Sequence, residues 1–247
     1  MRLDQYVATA AQKSRTEVRK DILHGLVTVD GAVCKKAGEQ VAETAAVTLN
    51  GAVLTLQKYV YIMLDKPLGV VSAAVDKNDT TVIDLVGKAY PRRNLFPAGR
   101  LDKASTGFVL ITDDGNFAHE ILAPKHHVAK TYEIVLDTPL TKAMTDGFAA
   151  GVKLADGEVM KPAIAVASGD NPCCATVVIS QGVYHQIKRM FGVFDAGVEA
   201  LRRTAIGGLC LDETLGAGGF KELSKEDLDK MTQQDSQPIQ KINTGVV

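Results

Sequence analysis

Near the amino terminus the apolar positions follow two different periods. Ser14-Arg15-Thr16-Glu17 is a capping box, and it opens a helix whose apolar stripe is Val18, Ile22 and Leu26, with Gly25 marking its end. Beyond it the period shortens to two. Val27, Val29 and Val33 surround Asp30-Gly31, while Val47, Leu49, Val53 and Leu54 surround Asn50-Gly51, so two tight β-hairpins are predicted. Two short helices and small strands therefore make a compact first unit, residues 1–57, with residues 58–60 as the linker.

From Tyr61 the apolar runs lengthen and are broken by Gly and Pro. Strands are predicted at Tyr61–Leu64, Gly107–Thr112, Thr131–Leu136, Ala175–Ser180 and Gly208–Leu211, all rich in Val, Ile, Leu or Tyr. Helices are predicted at Phe117–Leu122, Lys142–Ala150 and Gln186–Phe194. No βα unit repeats, so the class is α+β. After Met231 the sequence TQQDSQPIQKINTGVV is polar and has no apolar period, and residues 232–247 are expected to be a disordered tail.

Composition changes this picture little. The chain has 247 residues, 46% of them hydrophobic, which suffices for one large and one small core. No apolar run approaches the roughly 20 residues that cross a bilayer, and MRLDQYVATAAQ lacks a signal-peptide core. A cytoplasmic location without membrane contact is expected. Cys34, Cys173, Cys174 and Cys210 show no CxxC spacing and read as reduced and structural. Charge is balanced, 28 Lys+Arg against 29 Asp+Glu, so any case for nucleic acid rests on local patches.

One such patch is the helix from Ser14, where Lys13, Arg15, Arg19 and Lys20 outnumber Glu17 and Asp21. Charge pattern alone also fits a solvated amphipathic helix. However, the order MRLDQYVA, SRTEVRKDI, GLVTVDGAV resembles the small α-L RNA-binding domain also found in ribosomal protein S-four, over roughly the first fifty residues. That resemblance implies RNA contacts at Arg2, Arg15, Arg19 and Lys20.

The stretch that bears most on chemistry is Ala98-Gly99-Arg100-Leu101-Asp102-Lys103-Ala104-Ser105-Thr106-Gly107, followed by apolar Phe108–Ile111 and by Thr112-Asp113-Asp114-Gly115. Arg100 and Lys103 flank Asp102 and would favour its ionised form. On the residues alone, a structural ion pair competes with a nucleophile. GRLDxxxxG leading into an apolar strand and TDDG resembles the signature loop of pseudouridine synthases. The order of the RsuA-type branch of that family is kept by Asp65-Lys66-Pro67-Leu68-Gly69, the GRLD loop, Pro124-Lys125-His126-His127, Lys130-Thr131-Tyr132 and Tyr184-His185-Gln186-Ile187-Lys188-Arg189-Met190.

The resemblance implies a mixed, largely antiparallel sheet with flanking helices over residues 61–231, in a monomer that uses no cofactor. It implies that Asp102 attacks the target nucleoside, that Tyr132 stacks on the uracil, and that Lys188 is the basic partner of the carboxylate. Arg100 would stabilise the displaced RNA. His126, His127 and Lys130, within PKHHVAKTY, together with Arg189, would touch RNA; that block points to 16S RNA of the small subunit, naked or in an assembling particle. The histidines at 119, 126 and 127 lack chelating spacing, and no metal is expected. His185 and Gln186 read as hydrogen-bonding residues that shape a loop. Two departures stand out: Val183 replaces a common arginine, and Phe108 a leucine. The rival readings are the same chemistry on large-subunit or transfer RNA, and a non-catalytic ribosome-assembly factor.

Overall fold

The computed structural model describes residues 1–42, 44–123 and 128–232. The chain divides into two compact units, Met1–Val60 with Ala89–Asn94, and Tyr61–Lys88 with the residues from Leu95 onward.

In the first unit, α1 (Leu3–Ala10) and α2 (Arg15–Leu23) pack together and are followed by β1 (Val27–Val29), β2 (Ala32–Val33), β3 (Val47–Leu49) and β4 (Ala52–Leu54). The capping box forms: Glu17 N–H donates to Ser14 Oγ, and Ser14 N–H donates to the Glu17 carboxylate at 2.8 Å. The strands pair antiparallel in the order β2-β1-β3-β4. Asp30, Gly31, Asn50 and Gly51 all have positive φ, which lets these two-residue turns match the strand twist. Leu3, Tyr6, Val7, Val18, Ile22, Val27 and Val47 form the core. Leu26 does not join the stripe: the helix stops at Leu23, Gly25 turns the chain at φ 77°, and Leu26 stays exposed.

The second unit runs β5 (Tyr61–Lys66), α3 (Val82–Val86), β6 (Phe96–Ala98), β7 (Thr106–Thr112), α4 (Gly115–Leu122), β8 (Lys130–Leu136), α5 (Lys142–Ala150), β9 (Ile164–Ala167), β10 (Cys174–Ile179), α6 (Gln186–Gly192), β11 (Val198–Ile206), β12 (Leu209–Cys210), β13 (Phe220–Glu222) and α7 (Lys225–Thr232). Its sheet has the order β13-β5-β7-β11-β8-β10-β9, with β6 along β7 and β12 along β11. Every pairing is antiparallel except β7 with β11. The class is thus the mixed, largely antiparallel sheet with helices that the sequence led us to expect.

β7 is buried on both faces, as its unbroken apolar run requires. Phe108 and Leu110 pack with Met63, with Ala118 and Ile121 of α4 and with Met231 of α7. Val109 and Ile111 alternate with them onto the other face and are equally buried. Phe108, the departure from the usual leucine, is fully enclosed. The sequence pattern missed β11 altogether, although it is central in the sheet. One edge of β7 is shared: β11 takes Thr106 and Gly107, and β6 takes Leu110 to Thr112. In the gap, Arg203 Nε donates to the Phe108 carbonyl at 2.6 Å, satisfying a backbone acceptor that neither strand reaches.

Candidate active site

Between β6 and β7 the chain crosses the end of the sheet in a loop, 99–105, whose backbone is pinned on both sides of Asp102. Ser72 Oγ donates to the Leu101 carbonyl and accepts from Leu101 N–H, each at 3.0 Å. Gly69 N–H donates to the Lys103 carbonyl at 2.9 Å, and Ser105 N–H donates to the Asp102 carbonyl at 3.0 Å. The Asp102 carboxylate is fixed at its root yet keeps 33% of its surface open to solvent.

The groups around that carboxylate are not its neighbours in sequence. His185 Nε2 lies 3.2 Å from Asp102 Oδ1. His185 is the N-cap of α6 with a left-handed backbone, φ 50° and ψ 30°, and its ring stacks on Tyr184 with centroids 3.8 Å apart. Lys66, fully buried at the end of β5, donates from Nζ to the Pro67 carbonyl at 3.0 Å. Burial pushes its pKa down to about 8, and the charge of Asp102 acts in the opposite sense. The expected flanking cations do not serve the carboxylate. Lys103 pairs instead with Asp79 at 2.6 Å, and Arg100 is exposed and pairs with no carboxylate among the described residues. Adjacent side chains in a turning loop diverge, so sequence proximity to Asp102 did not become contact.

Tyr132 sits in β8 opposite Arg203 of β11, which is itself opposite Gly107 at the end of the Asp102 loop. Two strand spacings, roughly 10 Å, separate Tyr132 from that point. Its side chain is 7% exposed. Lys188 occupies the first turn of α6, half-buried, and makes no ion pair with Asp102 among the described residues.

The expected RNA contacts divide. Arg15 and Lys20 are exposed on α2. Arg2 and Arg19 are also at the surface but converge on the buried Asp4, at 3.0 and 3.3 Å. His126 and His127 lie outside the described residues. Lys130 is turned inward: it is buried, and Nζ donates to the carbonyls of Val128 at 2.7 Å and Ile121 at 3.2 Å, ending α4 rather than meeting a phosphate. Arg189 is occupied by Asp156 and, at 3.5 Å, by Glu158, so its guanidinium is not a free contact. Among the described residues no group of three or more His, Cys, Asp or Glu side chains could hold a metal ion.

Sequence reading gave His185 only a loop-shaping part and gave Lys66 none. A lysine directly after Asp65, closing an apolar run just before a proline, was the available signal for Lys66. Nothing local could announce His185, because its partner is remote in the chain.

A small unit with a cationic helix is thus followed in the chain by a mixed sheet that presents a pinned, one-third exposed carboxylate. Residues 60–192 match the RNA pseudouridylate synthase family and residues 1–47 match the S4 domain. An RNA pseudouridine synthase of Bacillus subtilis, YtzG, itself uncharacterised, is 38% identical over 92% of this chain and 97% of its own length. The ribosomal small subunit pseudouridine synthases A of Salmonella typhimurium and Escherichia coli are 37% and 36% identical, each over 92% of this chain and 98% of theirs. A crystal structure of a pseudouridylate synthase, 32% identical, superposes with a TM-score of 0.66 over 94% of this chain and 99% of that one. The chain belongs to the RNA pseudouridylate synthase family. It is an isomerase that makes pseudouridine, and its partner is RNA.

Proposed function

We propose that this protein converts one uridine of 16S ribosomal RNA to pseudouridine, with Asp102 as the nucleophile. The observation that carries the reading is the Asp102 carboxylate itself: it is anchored through its backbone, open to solvent, and touched at one oxygen by His185. Isomerisation breaks the bond from base nitrogen to sugar, makes a carbon bond in its place, removes one proton from carbon and adds one to nitrogen. No electrons are gained or lost overall. A carboxylate can hold either the ribose or the pyrimidine ring covalently while the base turns. Extracting the uridine from its stack costs a few kcal/mol, which phosphate contacts offset.

In this reading Tyr132 stacks on the loosened uracil, Lys188 is the basic partner of Asp102, and Arg100, exposed and paired with no carboxylate among the described residues, steadies the displaced strand. Residues 1–57 hold RNA through Arg2, Arg15, Arg19 and Lys20, and residues 61–231 do the chemistry, as a monomer in the cytoplasm where ribosomes are assembled. Relatives named for the small ribosomal subunit support the choice of RNA. Pseudouridine mapping in ribosomal and transfer RNA from a strain lacking the gene tests it. One site should vanish from 16S RNA and return with the wild-type gene but not with Asp102→Asn. Loss of a site in large-subunit or transfer RNA instead would move the substrate, and an unchanged map would leave a non-catalytic assembly factor.

A further inference from the structure

Tyr184 is the large aromatic side chain that the chemistry above leaves unused, and it stands at the site. Tyr184 as a whole is 74% exposed. A tyrosine in a folded core hides its ring, and one at random on a surface is free to rotate; this one does neither. One of its faces lies against the His185 imidazole, with centroids 3.8 Å apart and planes 20° from parallel, while the other is bare. The backbone beneath it is held by Arg189, whose Nη1 donates to the Tyr184 carbonyl at 3.4 Å and whose guanidinium is in turn fixed by Asp156 and Glu158. His185 is met at its ring nitrogen Nε2 by Asp102 Oδ1 at 3.2 Å. A flat ring thus lies stacked one imidazole away from the carboxylate.

We propose that the bare face of Tyr184 is a stacking platform for an unpaired RNA base next to the target uridine. The proposal rests on the RNA-modifying reading above and adds a second base subsite to it. Three points favour a base over an apolar protein partner. Every base has a π-face that fits a flat ring, and stacking of this kind needs no matching hydrogen-bond pattern. Single-stranded loops, whose neighbouring bases unstack when one is extruded, are the form in which proteins read RNA. The platform is also mechanically joined to Asp102 through His185, so a base seated on Tyr184 presses on the residue that orients the carboxylate. Its chemistry class is therefore a purine or pyrimidine flanking the extruded uridine, with purines, which offer more ring area, held more firmly.

The test uses the full-length protein and a single-stranded oligouridylate carrying one 2-aminopurine beside its central uridine, whose fluorescence falls when it stacks. Wild type and Tyr184→Phe should quench the probe with similar Kd, Tyr184→Ala should weaken binding about tenfold or more with the quench lost, and all three should melt alike because the ring packs on no core residue. Equal quenching by wild type and Tyr184→Ala, or no quenching by wild type, would overturn the proposal. Asp102→Asn separates the two readings. It should keep the quench while losing pseudouridine formation, whereas wild-type protein that quenches the probe yet leaves 16S RNA unmodified sinks the assigned substrate and leaves the platform standing.

Discussion

Gly107 and Arg203 face each other across the single parallel pairing of the sheet so closely that a Cβ on Gly107 would lie 2.3 Å from the Arg203 carbonyl oxygen. Gly107 also has φ 99°, a region that side chains disfavour. The residue therefore closes the Asp102 loop and lets β11 dock, two tasks that only a missing side chain allows. Gly107→Ala should push β11 from β7, remove the seat of Arg203 on the Phe108 carbonyl and lower stability by about 2–4 kcal/mol. Urea melts would show it. A variant as stable as wild type would mean that the strands part without loss.

Asp102→Asn keeps the size of the side chain and removes its charge. Pseudouridine formation should fall by on the order of a thousandfold or more, while affinity for RNA changes little, because the loop is held through the backbone of Leu101, Lys103 and Ser105 and not through the carboxylate. Single-turnover assays paired with filter binding would check both halves. Substantial turnover by the variant would exclude the nucleophile role.

Much of the frame was legible. Ser14-x-x-Glu17, Asp30-Gly31 and Asn50-Gly51 form the cap and turns their chemistry demands, and the apolar runs at 61, 107, 131 and 175 are all strands. β11 was hidden because Glu199, Arg202 and Arg203 interrupt its apolar pattern. Glu199 is exposed, and the two arginines are accommodated by partners remote in sequence: Asp65 for Arg202, and the Phe108 carbonyl for Arg203. The site behaved likewise. The loop and its carboxylate could be found from GRLD, but the side chain that meets Asp102 comes from the N-cap of α6, and the cation beside it in sequence, Lys103, turns to Asp79. Lys130, taken for an RNA contact because it is a lysine in a family block, was claimed by the carbonyls of Ile121 and Val128.

Lys130 makes the catalytic domain pH-sensitive on the alkaline side. Burial, with repulsion from Arg203, lowers its pKa from the ordinary 10.5 to about 8. Between those values the unfolded chain binds the proton that the folded chain has lost, so this group's contribution to stability increases with pH from about 8 to 10.5. The penalty of the buried charge is fully present below that window. Lys130→Met should remove this increment, and it should also strand the Ile121 and Val128 carbonyls, lowering stability at neutral pH by about 1–3 kcal/mol. Urea midpoints of both proteins from pH 7 to 10 should converge if the sign were reversed, and diverge in favour of wild type if it is as stated.

The Asp65–Arg202 pair spans β7 to tie β5 to β11, through two hydrogen bonds of 2.9 Å each in fork geometry. The Asp65 carboxylate is almost wholly buried, whereas Arg202 keeps a third of its surface, so the two ends of the pair are not equivalent. Arg202→Ala leaves a charge buried without its partner and should cost about 3 kcal/mol, close to the value for breaking an enclosed ion pair. Arg202→Lys should recover little of it, since an ammonium cannot supply both bonds in one plane. Changing both residues together, Asp65→Leu with Arg202→Met, should restore most of the stability, because no unpaired charge remains inside. If the double variant were as unstable as Arg202→Ala, the loss would stem from packing along β7 and not from the stranded carboxylate.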